Sequence, residues 1–324
     1  MGKDKGLIYA FLLDGKGGGK MLTATQIEQW DPKQGILWLH FDFTHKSASS
    51  WLTKHSGLDA VTQSALTADE SRPRAIIYED NILLSLRGVN TNPGKEPEDM
   101  VSVRLWADSH RIITTRRRKL LSIQDIREML AQGNGPKTTG DFVTKLAEQL
   151  TRRASDIIND IEDTLDELEE KTIESYDRTL QLELSAIRHD AILIRRYLSP
   201  QREALQHLSR ETTTILNHTN RIQCREITDR VTRYVEDLDT VRDRANIVQE
   251  QINNKISQQV DNRMYTLSLV AVIFLPITFL TGLLGINVGG IPGSTNKFAF
   301  LLVCIIALVI GFSTYLIFKR KRWM

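Results

Sequence analysis

Two uncharged runs constrain this 324-residue chain more than any other feature. Thr266–Leu284 reads TLSLVAVIFLPITFLTGLL and Phe298–Phe318 reads FAFLLVCIIALVIGFSTYLIF, 19 and 21 residues without Asp, Glu, Lys, Arg or His. As α-helices rising about 1.5 Å per residue, each covers about 30 Å, the hydrocarbon thickness of a bilayer. Core helices of soluble proteins seldom stay uncharged for so long, and here two stand in tandem, so both read as transmembrane helices. Only 13 residues, Gly285–Lys297, separate them, too few for a domain, so the spans form a hairpin. Lys319, Arg320, Lys321 and Arg322 follow the second span, Lys255 and Arg263 precede the first, and the loop carries Lys297 alone. Basic residues stay on the cytoplasmic side, so both termini are expected there and the loop outside. Leu7–Leu13 is too short an apolar run for a signal peptide, and none is expected.

The rest of the chain reads as two further parts. Leu7–Leu13, Ile36–Phe43, Ala75–Tyr78, Ile82–Gly88, Val101–Ala107 and Arg111–Thr115 have strand character, and Asp59–Leu66 and Ser122–Leu130 look helical. This is an α+β domain with a mixed sheet and helices. GKGGGK at 15–20 lacks the Ser/Thr and the first Gly of a phosphate loop and is expected to be a hairpin turn. From Asp141 the chain is helical for over a hundred residues, with Pro200 as a helix start or a kink. The expected organisation is a cytosolic α/β domain at 1–140, acidic cytosolic helices at 141–220, a stalk helix at 221–265 and a first span at 266–285. An external loop at 286–297, a second span at 298–318 and a basic cytosolic tail at 319–324 complete it. Lys+Arg of 42 against Asp+Glu of 40 gives a net charge of +2, so no nucleic-acid partner is expected.

Residues 156–170 hold eight carboxylates and no basic residue, with Ile157, Ile161, Leu165 and Leu168 as an apolar stripe. The segment reads as a solvated acidic face or as a surface that concentrates cations. Val231, Tyr234, Leu238, Val241, Ala245, Val248 and Ile252 recur at spacings of 3 and 4, a heptad seam that Ile256 and Val260 continue with a stutter. No breaker separates the seam from the first span. A seam continuous with a span implies chains bundled along one axis, and an axis through such a bundle is a natural pore. A face of the first span at the same spacing holds Met264, Leu267, Ala271, Leu275, Thr278 and Gly282 and reaches the Gly285–Asn287 mouth. Periodicity alone does not separate a pore lining from a packing stripe. A bare Zn²⁺ wants about four N, S or O ligands, which neither span offers. A cation would therefore cross largely hydrated, touching carbonyls, Thr278 and apolar constrictions.

FLPITFLTGLLGINVGGIP at 274–292 resembles the end of the first span in the CorA superfamily of divalent-cation channels and transporters. The family's Gly-Met-Asn triplet stands here as Gly285-Ile286-Asn287, and its proline frame matches at Phe274, Leu275, Pro276, Thr278, Phe279, Thr281 and Gly282. The triplet followed by Gly-Gly-Ile-Pro, with ESRPR at 70–74, RRYLSPQR at 195–202 and the KRKRWM tail, is similar to the zinc-transporter (ZntB) branch. The resemblance implies a funnel-shaped homopentamer in a bacterial inner membrane, transporting Zn²⁺ or another divalent cation. It puts Asn287 at the outer mouth on the ion's hydration shell, and Met264, Leu267, Leu275, Thr278 and Gly282 on the pore. Asp261 falls at a polar ring near the cytoplasmic mouth, where five copies repelling one another make it a candidate proton carrier; concentrating cations is the plainer role. Ile286 in place of Met and an external loop without a carboxylate depart from the magnesium branch.

A Mg²⁺/Co²⁺/Ni²⁺ channel of the same superfamily is the alternative. From another class, a membrane-anchored sensor or scaffold would not need Gly285 or Asn287. No nucleophile–base motif, HExxH or Walker sequence is present, so no enzyme is expected. No covalently bound cofactor is expected. The expected partners are further copies of the chain, the lipid bilayer, divalent metal ions and, in the coupled reading, protons. His207 and His218, about three helical turns apart, with Cys224 six residues on, are the one candidate for a cytosolic metal site.

Overall fold

The computed structural model describes residues 6–69, 71–78, 80–174, 178–286, 291, 293 and 296–320. It divides into two compact units, Met1–Gln249 and Glu250–Met324.

The first unit is built on seven strands: β1 (Leu7–Leu13), β2 (Gly19–Met21), β3 (Ile36–Asp42), β4 (Arg74–Tyr78), β5 (Asn81–Gly88), β6 (Val101–Ala107) and β7 (Arg111–Arg116). Their order is β2-β1-β3-β7-β6-β5-β4. β3 and β7 run parallel and every other pair is antiparallel, so the sheet is mixed, as expected. The GKGGGK segment makes the β1–β2 turn. Asp14 Oδ1 accepts from the N–H groups of Lys16 and Gly18 at 2.7 and 2.9 Å. Gly17 sits at φ +109°, and a Cβ there would lie 2.6 Å from the Gly133 carbonyl, so only glycine fits.

Alternation along the strands gives the sheet two apolar faces. Leu39, Ile113, Trp106 and Leu83 stand in register across β3, β7, β6 and β5. They form one core with α2 (Lys46–Lys54) and α3 (Ala60–Thr67) through Ala48, Leu52 and Leu66. On the other face Trp38 is fully buried, its ring 4.8 Å from Phe142 at the start of α5 (Thr139–Glu174). Its indole N–H donates to Thr114 Oγ1 at 2.9 Å. His40 Nδ1 lies 2.8 Å from the same hydroxyl, and burial with the Arg116 charge lowers its pKa to about 3. The imidazole is therefore a neutral core group at pH 7. The sequence did not mark β2, α1 (Ala24–Glu28) or α2. β2 has only three residues, and the Ser-rich α2 buries just Ala48 and Leu52.

The helices after the sheet are α4 (Leu121–Ala131), α5, α6 (Arg178–Arg210), α7 (His218–Leu284) and α8 (Ala299–Arg320). Pro200 lies inside α6 and starts no helix. The buried stripe of α5 is Ile158, Ile161, Leu165 and Leu168, so Ile158 takes the place expected for Ile157, which is half-exposed. α7 is continuous for 67 residues, as the absence of a breaker predicts.

The seam on α7 has a different partner from the one expected. Val231, Leu238, Val241, Ala245, Val248 and Ile252 are all at or below 4% exposure within a single chain. Arg244 on α7 holds Glu169 at 2.6 Å and Asp166 at 2.5 Å on α5, and Arg195 on α6 holds Asp239 on α7 at 2.7 Å. The chain's own α5 and α6 thus supply the helices that a heptad seam needs, and an inter-chain partner is not required. Tyr234 is only half-buried, and Val235 is buried instead. Past Ile252 the seam loses its cover: Ile256 and Val260 are exposed.

Candidate ion pathway

Among the described residues, α7 and α8 are the two helices long and apolar enough to cross a membrane. Leu269, Ile273, Ile277, Leu280 and Leu284 of α7 are half-buried, and so are Cys304, Ala307, Gly311 and Thr314 of α8. A Cβ on Gly311 would lie 3.6 Å from Ile277 Cδ1, which places this aliphatic side chain of α7 against a glycine of α8. Small residues let transmembrane helices approach closely, where lipid offers no hydrophobic gain between them. Gly311→Ala should therefore be tolerated at ordinary van der Waals distance. Gly311→Leu should push the helices apart and lower thermal stability in detergent by about 1–3 kcal/mol. Equal melting temperatures for the two variants would contradict this contact.

With about 100° per residue, Met264, Leu267, Ala271, Leu275, Thr278 and Gly282 lie on the side of α7 opposite the α8-facing residues. All six are exposed, Leu275 at 73%. Asp261 is exposed one turn before Met264. The face carries no charge, one hydroxyl at Thr278 and bare backbone at Gly282, beside which a Cβ would find open space. Thr281 Oγ1 donates to the Thr278 carbonyl at 3.1 Å. The helix closes at Gly285, whose N–H reaches the carbonyls of Thr281 at 2.9 Å and Gly282 at 3.2 Å. Ile286 is exposed, and Asn287 lies outside the described residues. The α8-facing stripe was not anticipated. Its signal is the spacing of Cys304, Ala307, Gly311 and Thr314 by 3, 4 and 3 in an otherwise bulky run.

The cytosolic metal site is not assembled. Among the described residues no three His, Cys, Asp or Glu side chains gather to hold a metal ion. Cys224 is fully buried, and burial pushes its thiol up to about 12, so it is not a thiolate. His207 stands beside Glu211, Nδ1 to Oε1 at 3.4 Å, and His218 begins α7. The one helix face expected to carry both histidines does not exist, because α6 ends at Arg210 and α7 starts at His218, and Cys224 faces the core. The acidic segment of α5 is partly neutralised by Arg244. Burial and the neighbouring carboxylates Asp237 and Asp166 hold Glu162 above its ordinary range.

A family model described as CorA-like Mg²⁺ transporter protein matches residues 33–320. The chain belongs to the CorA family. Members of this family are membrane transporters of divalent cations, so the chain is a transporter and not an enzyme. It is 38% identical to the divalent cation transporter CmaX of Pseudomonas aeruginosa over 100% of this chain and 98% of that one. It is 33% identical to the zinc transport protein ZntB of Yersinia enterocolitica over 98% and 96% of the two chains. The solved structure of full-length CmaX superposes with a TM-score of 0.87 at 37% identity, covering 99% of both chains. The CorA fold and the ZntB-like branch expected from the Gly285–Asn287 segment are thereby established.

Proposed function

We infer that this CorA-family chain carries Zn²⁺ across the bacterial inner membrane as a homopentamer, through a pore lined by the exposed face of α7. One observation carries the reading. The face from Met264 to Gly282 is uncharged and open, while the residues of the opposite face are half-buried and one of them, Ile277, meets Gly311 of the chain's own α8. Five such faces turned to one axis make a narrow apolar conduit that a hydrated dication passes without being trapped. Gly285, Ile286 and Asn287 form the outer mouth and Asp261 the cytoplasmic one. The termini are cytoplasmic. A dication moving into an inside-negative cell gains about 4.6 kcal/mol per 100 mV, twice the single-charge value, so passive flux is uptake. Zinc as the cargo rests on the likeness to ZntB. The family's description names Mg²⁺ and that of CmaX names divalent cations generally, so a broader Mg²⁺/Co²⁺/Ni²⁺ channel is the second reading.

Flux into proteoliposomes separates these readings. Zn²⁺ is expected to enter faster than Mg²⁺ at equal concentration; faster Mg²⁺ entry establishes the second reading, and no metal entry rejects both. The same assay with an imposed pH gradient tests coupling. Asp261→Asn is expected to lower Zn²⁺ flux while leaving any pH-gradient response intact, as a cation-concentrating ring requires. Loss of that response alone would make Asp261 the proton carrier.

A further inference from the structure

A large cavity lies in the first unit, far along the sequence from the spans, and its lining is the reverse of a cation site. It encloses about 720 Å³ between β5, β6, residues 69, 71 and 72, residues 117–118, and α6. Arg72, Arg87, Arg117, Arg118 and Arg196 line it, with the carboxylates Asp69 and Asp99 among the described residues. Arg117 pairs with Asp69 at 3.5 Å, and Arg118 takes Asp99 through both guanidinium nitrogens. Arg87 is fixed by the carbonyls of Ser71 and Met100 at 3.1 and 3.0 Å and lies over the Tyr197 ring at 4.1 Å. Arg72 and Arg196 are exposed and make no ion pair among the described residues. They belong to the ESRPR and RRYLSPQR segments, which the ion pathway does not use.

A sixth guanidinium, outside the lining, lies close to Arg87 and Arg117. Arg87 pairs with Ser102 across β5 and β6, and Ser85 pairs with Arg104. Residues two apart on a strand share a face, so Arg104 stands beside Arg87 and Ser102 on the same side of the sheet. It is 1% exposed, and Nη2 donates to the backbone carbonyls of Ala68 and Asp69. Its Nε and Nη1 have no hydrogen-bond partner among the described residues, nor does Ser71 Oγ. Burial and the charges of Arg87 and Arg117 pull its pKa down to about 10, so it remains charged at pH 7 while repelled by its neighbours.

We propose that this cavity binds a small anion bearing two or more linked phosphate groups. Guanidinium forks match phosphate oxygens in pairs. A lone orthophosphate fills little of the volume and carries only about two charges, whereas linked phosphates carry enough to offset the guanidinium excess.

Binding of inorganic pyrophosphate to the detergent-purified full-length chain is measured calorimetrically in metal-free buffer with a chelator, so that no bridging cation contributes. One saturable site per chain is expected, at least about tenfold tighter than for orthophosphate. Arg72→Ala/Arg196→Ala should weaken it at least about tenfold with an unchanged melting temperature in the absence of ligand, since both side chains are exposed. ATP binding tighter than pyrophosphate identifies a nucleotide as the source, and ATP binding equal or weaker identifies inorganic diphosphate. The proposal fails if pyrophosphate does not saturate, if citrate or orthophosphate binds as tightly, or if the double variant binds like the parent.

Discussion

Replacing Asn287 with alanine will reduce divalent-cation flux into sealed vesicles at least about tenfold, equivalent to about 1.4 kcal/mol, while the oligomer elutes unchanged. The expectation follows from what precedes this position. Between Met264 and Gly285 the open face of α7 offers one hydroxyl, at Thr278, and otherwise apolar groups and bare backbone. The helix ends at Gly285 and Ile286 is aliphatic, so Asn287 brings the first side-chain amide at the expected outer mouth. A neutral amide orders an ion's water shell without the deep well of a carboxylate, which favours release as well as capture. Ile286→Met adds no charge and should leave flux within about a factor of three. Parent-like flux from a correctly assembled Asn287→Ala oligomer would remove this residue from the pathway.

Val241→Asp should destabilise the subunit itself by about 3–5 kcal/mol, because it puts a carboxylate without a partner into a buried apolar seam. Val241 is 1% exposed within one chain, so the burden falls on the packing of α7 against α5 and α6. Against a total stability of about 5–15 kcal/mol this is a large share. Asp243→Ala, at an exposed position where Arg242 is the partner at 2.8 Å, should cost less than about 0.5 kcal/mol. Thermal denaturation of the full-length chain in detergent, followed by circular dichroism, reads both. A dissociated oligomer with an unchanged subunit melting temperature would show that the seam joins chains instead.

Much of the fold was legible because the signals were local. β1 and β6 run between the residues that alternation indicated, and the turn at 14–18 follows from Asp14 and the surrounding glycines. The exposed face of α7 that we propose as the ion pathway could be picked out in the same way: a helical period of 3 and 4 joins Met264 to Gly282, although periodicity alone does not tell a pore lining from a packing stripe. The arginine cavity was not legible. Arg72, Arg87, Arg118 and Arg196 come from four separate segments, and only the pairing of β5 with β6 and the passage of α6 beside them bring these charges together. Spacing likewise suggested a metal site at His207, His218 and Cys224, but the count of turns assumed one helix, whereas α6 ends at Arg210 and α7 begins at His218. The fold buries the Cys224 thiol and removes it as a ligand.

The sequence alone determined that the chain has two spans, a mixed-sheet domain and one unbroken helix into the first span, since hydropathy, alternation and the absence of breakers act over neighbouring residues. It also determined which side of that helix is apolar before the membrane boundary, where Val231 to Ile252 recur at helical spacing. Only the tertiary structure decided what each apolar stripe meets. Val231 to Val248 is covered within the subunit, where Arg244 and Arg195 tie α7 to its neighbours, whereas Met264 to Gly282 is left open, with Ile277 on the opposite side meeting Gly311 of α8. A periodic stripe states that a surface must be buried or must face a special environment. Its partner depends on contacts between residues tens of positions apart, which no local pattern encodes.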